Sequence, residues 1–233
     1  MRLEEAKRDH YRKLAREEGY RSRAAYKLLQ IASKYQIIRE GFKVIDLGCA
    51  PGGWLQVASK LVGDRGAVFG VDVTEVKQID RKNVTILRDD ISSNMFRSNL
   101  LNAIGKGRAD CVLADLSPKL SGIWDMDHFR QIELCHMVVD ILQDILATDS
   151  STLMKAFHGS ELESLVSRLR GSFERVEISK PEASRNKSSE VYLVSMGFSG
   201  QVPSRSTESH SGERRFLELE DSGAYGWHSD RLN

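Results

Sequence analysis

The side chain with the most chemical potential in this sequence is Lys155, which interrupts the apolar run Thr152-Leu-Met-Lys-Ala-Phe157. An ammonium in an otherwise apolar strand needs either a partner or a task. A free lysine, with a pKa of about 10.4, is a poor base at neutral pH. Burial and a second ammonium, such as that of Lys27, would lower it toward the working range, while Asp115 and Glu190 would hold it in place. The same residues could equally form a buried salt-bridge network, and charge logic alone does not separate the two readings.

A second set of candidates consists of acids that close apolar runs. Asp46 ends Val44-Ile-Asp, Asp72 ends Ala67-Val-Phe-Gly-Val-Asp, Asp115 follows Val112-Leu-Ala, and Asp90 stands in Leu87-Arg-Asp-Asp-Ile. In open parallel sheets, ligands bind beyond the C-terminal ends of the strands, so these acids and Lys155 share one rim. Asp72 is placed to accept hydrogen bonds from both hydroxyls of a ribose. Asp90 is the candidate partner for an adenine amino group, with Asp89 as the competing assignment. Asp115 is the best placed to face both cofactor and substrate.

Between Asp46 and the next helix runs Leu47-Gly-Cys-Ala-Pro-Gly-Gly-Trp54. Gly48, Gly52 and Gly53 permit a tight turn and close approach of a ligand to the backbone, and Pro51 biases Ala50 away from helix. The dinucleotide fingerprint Gly-x-Gly-x-x-Gly is not matched, because Cys49 to Pro51 separate the glycines differently. The spacing favours another adenosine-bearing ligand. A plain strand-to-helix connection is the alternative for the turn taken by itself.

Strands and helices alternate around these positions. Strands are expected at 43–47, 67–73, 84–87, 110–115 and 151–157, and helices at 53–61, 128–146 and 161–170, the rhythm of a doubly wound parallel sheet. Ile132, Cys135, Val138, Val139, Leu142, Ile145 and Leu146 form one helical stripe, which makes Cys135 and Met137 core candidates. The final strands, 173–179 and 190–197, are joined by a loop too short for a crossover helix, so they should be antiparallel neighbours. Ahead of the sheet, Ala25, Leu28, Leu29, Ala32 and Tyr35 recur at helical spacing over 22–38, with Ser22 as N-cap and Lys27 on the helix.

Composition bounds what the chain can be. Its 233 residues bury one α/β core, giving a basic N-terminal arm over 1–21, an α/β domain over 22–198 and a polar tail over 199–233. Net charge is only +1, but residues 1–43 hold twelve Lys or Arg against six Asp or Glu, so the basic surface is local. The arm reads as a loosely held helix, and the tail as flexible, with Phe216, Tyr225 and Trp227 leaving a docked segment open. Three cysteines without metal spacing suggest reduced thiols and no metal site. Neither a membrane-spanning run nor a signal peptide is present, so a cytoplasmic monomer is expected.

The set Ser22-Arg-Ala-Ala-Tyr-Lys27, Asp46-Leu-Gly-Cys-Ala-Pro-Gly-Gly-Trp54, Asp115-Leu-Ser-Pro118, Lys155 and Ser184-Arg-Asn-Lys-Ser-Ser-Glu190 resembles the FtsJ (RrmJ) family of ribose 2′-O-methyltransferases over roughly residues 8–197. The resemblance implies a Rossmann-like methyltransferase fold: a mostly parallel seven-stranded sheet with an antiparallel last strand and helices on both faces. It implies S-adenosylmethionine as cofactor, with Gly52, Trp54, Asp72, Asp90 and Asp115 lining its site. It also implies a Lys-Asp-Lys-Glu tetrad at Lys27, Asp115, Lys155 and Glu190, with Lys155 as proton acceptor. The substrate would be RNA, since DNA lacks the 2′-hydroxyl. The basic arm and the loop bearing Lys180, Arg185 and Lys187 would hold phosphates on either side. Within the family, a uridine of large-subunit (23S-type) ribosomal RNA is the expected target. Transfer RNA methylation, or a non-catalytic role in ribosome assembly, are the alternatives.

Overall fold

The computed structural model describes residues 2–185 and 188–205, the side chains of residues 2–9 excepted. Lys187 and the tail beyond 205, with Phe216, Tyr225 and Trp227, lie outside the described residues. The elements run α1 (Arg2–Glu17), α2 (Ala24–Tyr35), β1 (Lys43–Leu47), α3 (Gly53–Val62), β2 (Ala67–Asp72) and β3 (Val84–Arg88). They continue as α4 (Phe96–Ile104), β4 (Ala109–Ala114), α5 (Trp124–Ile145), β5 (Leu146–Phe157), α6 (Leu162–Arg170), β6 (Phe173–Ser179) and β7 (Glu190–Phe198).

The strands form one sheet in the order β3-β2-β1-β4-β5-β7-β6. β1 to β5 pair in parallel, whereas β7 is antiparallel to both β5 and β6. Strand alternation sends Val44, Val68, Leu113, Leu153 and Val194 against α2 and α3, and Ile45, Leu47, Val112, Met154 and Leu193 against α4, α5 and α6. Covering both faces is why β1, β4 and the second half of β5 read as nearly continuous apolar runs. The order reverses between β1 and β4, and a ligand crevice opens at such a reversal.

Several boundaries differ from the sequence reading for physical reasons. α2 begins at Ala24 with Arg23 as its cap and no side-chain capping bond, so Ser22 is not the N-cap. The Ser22 hydroxyl stands instead against Gly53, where a Cβ would come within 2.4 Å of it, and this contact seats α2 on the start of α3. That helix ends at Tyr35 because Gln36 takes a left-handed conformation, short of Ile38. α4 has no long apolar stripe, and only Phe96, Leu100 and Ile104 reach the core. α5 starts at Trp124, four residues before the expected 128, and β5 starts at Leu146, five residues before the expected 151.

α1 is helical, as the arm was expected to be. Its residues Tyr11, Leu14 and Ala15 pack with Tyr26 of α2 and with Ala183.

Candidate active site

The glycine turn between β1 and α3 is shaped by close contacts. Gly48 has φ +79°, and its N–H and that of Cys49 both donate to the Val71 carbonyl, at 2.8 and 3.2 Å. A Cβ on Gly48 would lie 3.0 Å from the Leu116 backbone nitrogen, so only glycine lets the exits of β1 and β4 come this close. Asp72 fastens the turn to the end of β2: Oδ2 accepts from Ala50 N–H at 2.9 Å and Oδ1 from Thr74 N–H at 2.7 Å. The peptide between Ala50 and Pro51 is cis. Arg21 ties the outer edge, donating to the carbonyls of Pro51, Lys77 and Gln78 at 3.1, 2.6 and 2.8 Å.

Two clefts open at this rim. One, of about 360 Å³, lies across the ends of β1, β2 and β4 and is lined by Gly48, Asp72, Asp89, Phe96 and Asp115 among others. The second, of about 540 Å³, lies beneath the start of α2 and is lined by Ser22, Lys27, Gly48, Pro51, Trp54 and Asp115 among others. They share Gly48 and Asp115. A cofactor and a substrate entering from different sides would therefore meet at those residues.

The four tetrad positions form two ion pairs. Lys155 is 2% exposed, and its Nζ lies 3.2 Å from Oδ1 of Asp115 and donates to the Asp115 carbonyl at 3.3 Å. Lys27 is 4% exposed and donates to Oε1 of Glu190 at 2.6 Å. The same oxygen accepts from Ser184 Oγ at 3.2 Å and Tyr192 OH at 3.1 Å. Burial by itself would raise the Glu190 carboxyl, but the Lys27 and Lys155 ammonium groups hold it down to about 2.

Asp46 lies fully buried on β1, and neither carboxyl oxygen has a hydrogen-bond partner among the described residues. Burial first, then the nearby Asp115 and Asp72, push its pKa well above the usual carboxylate range. Three acids gathered at one crevice favour a ligand that brings positive charge. The sulfonium and ammonium groups of S-adenosylmethionine supply it, so the residues present fit that cofactor.

Every described site candidate stands at or beside this rim, in distinct settings. Gly52 is the left-handed cap of α3, φ +107°. The Trp54 indole donates to the Ala24 carbonyl at 2.8 Å and packs on Tyr192, and the residue lines the second cleft. Of the two acids after β3, Asp89 lines the first cleft, while Asp90 Oδ1 accepts from the N–H and hydroxyl of Ser92.

Sequence reasoning missed Gln131, which is fully buried on α5 and whose Nε2 donates to the carbonyls of both Leu116 and Lys155, at 3.2 and 2.9 Å. A lone polar residue inside the α5 stripe was the available signal. Tyr192 and Ser184 were missed as well. Tyr192 shares a strand face with Glu190, two residues away, and that spacing could have suggested it.

Comparison with known proteins bears on this arrangement. The model of the FtsJ-like methyltransferase family matches residues 20–198. A protein of Methanothermobacter thermautotrophicus named ribosomal RNA large subunit methyltransferase E is 43% identical over 197 residues, covering 84% of this chain and 93% of that protein. A protein of the same name from Cenarchaeum symbiosum is 44% identical over 200 residues, covering 86% and 100%. Among solved structures, one described as a ribosomal RNA methyltransferase from Plasmodium falciparum superposes with a TM-score of 0.71 at 26% identity, covering 78% of this chain and 100% of that one. Aeropyrum pernix fibrillarin, crystallised with S-adenosylmethionine, shares the fold with a TM-score of 0.52 at 18% identity, covering 76% and 75%.

Proposed function

The chain belongs to the FtsJ-like methyltransferase family, and we propose that it methylates a ribose 2′-hydroxyl of large-subunit ribosomal RNA, at a uridine, using S-adenosylmethionine. The observation that carries the reading is the meeting of the two clefts at Gly48 and Asp115, with Lys155 paired to that same Asp115.

When bound, S-adenosylmethionine supplies a methyl group already activated toward a nucleophile. Gly48, Asp72 and Asp115, with Asp89 or Asp90, would hold it from the first cleft, and Gly52, Pro51 and Trp54 from the other side of the turn. Asp46 adds a polar group beneath them.

Lys155, in its neutral form, takes the proton from the 2′-hydroxyl as that oxygen becomes a nucleophile. Asp115 orients Nζ and stabilises the ammonium that results. Lys27 and Glu190 neutralise each other beside it, so proton uptake by Lys155 does not leave the buried site with an unbalanced charge. Ser184 and Tyr192 fix the Glu190 carboxylate in the geometry this requires. The chain's contribution is mainly alignment, which converts an encounter in solution into a reaction of neighbours.

The names of the relatives favour ribosomal over transfer RNA, and a buried Lys155 paired to the cleft-lining Asp115 favours turnover over a purely architectural role. Three buried cysteines that form no disulfide suit the cytoplasm, the compartment proposed here. The test is to offer labelled S-adenosylmethionine with large ribosomal subunits and with transfer RNA in parallel. Label confined to large-subunit RNA supports the proposal, and label confined to transfer RNA overturns its substrate.

A further inference from the structure

Trp124 opens α5 and is 46% exposed, while Trp54 is buried. Its ring is nevertheless held firmly. It stacks on His128 at 5.8 Å and 17° between planes, and on Phe157 at 5.9 Å and 27°. His128 is fixed in turn, because Nε2 accepts from Glu161 N–H at 3.1 Å. Gly159 allows this, since a Cβ there would lie 2.7 Å from the imidazole. The turn leading into Trp124 is pinned by Asp127, which accepts from the Ser121 N–H and hydroxyl and from the Gly122 N–H at 2.7 to 3.0 Å. An aromatic side chain that is nearly half exposed and held by two neighbouring rings can receive something flat on the surface it leaves open.

Its position says what. Phe157 is the cross-strand partner of Glu190, and Lys155, two residues earlier on β5, is the partner of Tyr192. Cross-strand partners share a sheet face about 5 Å apart, and residues two apart on a strand lie about 7 Å apart on the same face. The stack therefore adjoins the tetrad. Asp125 and Asp127 occupy the first turn of α5 and oppose a phosphate at that helix end, so the surface suits an uncharged ring better than a backbone charge. Lys119, exposed in the loop between β4 and α5, offers a cation to the flanking backbone.

We propose that Trp124, backed by His128 and Phe157, is a stacking platform for an unpaired base of the substrate RNA, and that it fixes the strand so that the target ribose lies at Lys155. The inference rests on the RNA methyltransferase reading above. Stacking on an aromatic side chain tolerates any base, so the platform contributes affinity and placement rather than sequence choice.

Two variants of the full chain, Trp124→Phe and Trp124→Leu, test it, since both keep an apolar side chain at the site and only one keeps an aromatic face. The probe is a short fluorescein-labelled single-stranded RNA carrying one abasic nucleotide at successive positions, followed by anisotropy. A parallel series measures KM and kcat for methyl transfer to large-subunit RNA. Trp124→Leu should weaken binding and raise KM by about 5- to 150-fold, with unchanged cofactor affinity and a smaller effect on kcat, while Trp124→Phe retains most of the wild-type affinity. One abasic position should weaken the wild type and leave Trp124→Leu unaffected. Unchanged RNA affinity and KM in Trp124→Leu overturn the platform while the enzyme stands. If wild type transfers no methyl yet RNA affinity falls in Trp124→Leu alone, the enzymatic reading fails and the platform survives.

Discussion

The Lys27 ammonium lies 2.6 Å from Oε1 of Glu190, and the two buried residues are 163 positions apart in sequence. This pair ties α2 to the start of β7, with Lys27 also lining the second cleft. Glu190 titrates near 2 rather than 4.5, because Lys27 and Lys155 outweigh the burial that would raise it. A lowered carboxylate pKa stabilises the fold fully above about pH 4.5, and that contribution is lost as pH falls through the folded value near 2. Glu190→Gln should flatten this acid limb and, by leaving Lys27 buried without its countercharge, cost about 3–5 kcal/mol near neutrality. Urea unfolding across acid and neutral pH checks both effects. An acid limb as steep in the variant as in wild type would assign it to other carboxylates.

Lys155→Ala should lower methyl transfer by about 10²- to 10⁴-fold while cofactor affinity holds, the loss expected when a general base is removed. Arginine should not restore activity, since a guanidinium does not give up its proton. Rapid-quench transfer assays with calorimetric cofactor titration separate the two readouts, and full activity in Lys155→Ala would refute the base assignment.

Asp72 accepts from both Ala50 and Thr74 N–H groups, so it shapes the glycine turn as well as facing the first cleft. Hydrogen bonds to a charged group contribute about 1.5–3 kcal/mol each, so Asp72→Ala should weaken cofactor binding by about 10- to 150-fold. Asp72→Asn keeps one acceptor and should fall between. Calorimetry with S-adenosylmethionine decides, and an unchanged affinity would contradict the role.

Gln131 bridges the Leu116 and Lys155 carbonyls, and so sets the end of β4 against the end of β5 where Asp115 and Lys155 pair. Gln131→Leu leaves two buried carbonyls short of a donor and should cost about 1–3 kcal/mol. If the residue positions the pair, kcat should fall further than KM changes. A variant that is destabilised yet keeps wild-type kcat would restrict Gln131 to a structural role.

The rim was legible because its acids and Lys155 interrupt apolar strands, and burial on both faces makes such interruptions conspicuous. The parallel strands followed from the alternation of periods and the antiparallel final pair from the short loop between β6 and β7, whereas the order of the strands in the sheet is visible only in the structure. What escaped the sequence was set by tertiary contact. Ser22 looks like a cap, but packing against Gly53 claims its hydroxyl. α4 carries too few apolar positions to show a stripe, and its helix depends on Phe96, Leu100 and Ile104 being buried by the sheet. Gln131 is polar at a core position, and its purpose is visible only once two strand ends converge on it. Asp89 and Asp90 are adjacent and chemically identical, so only the direction of each carboxylate distinguishes them.

The most direct measurement is methyl transfer from labelled S-adenosylmethionine to large ribosomal subunits by wild type and Lys155→Ala, with nuclease digestion to locate the label. The account predicts a 2′-O-methylated uridine in large-subunit RNA with wild type and almost none with the variant. Label on a base rather than a ribose, or equal label with both proteins, would contradict it.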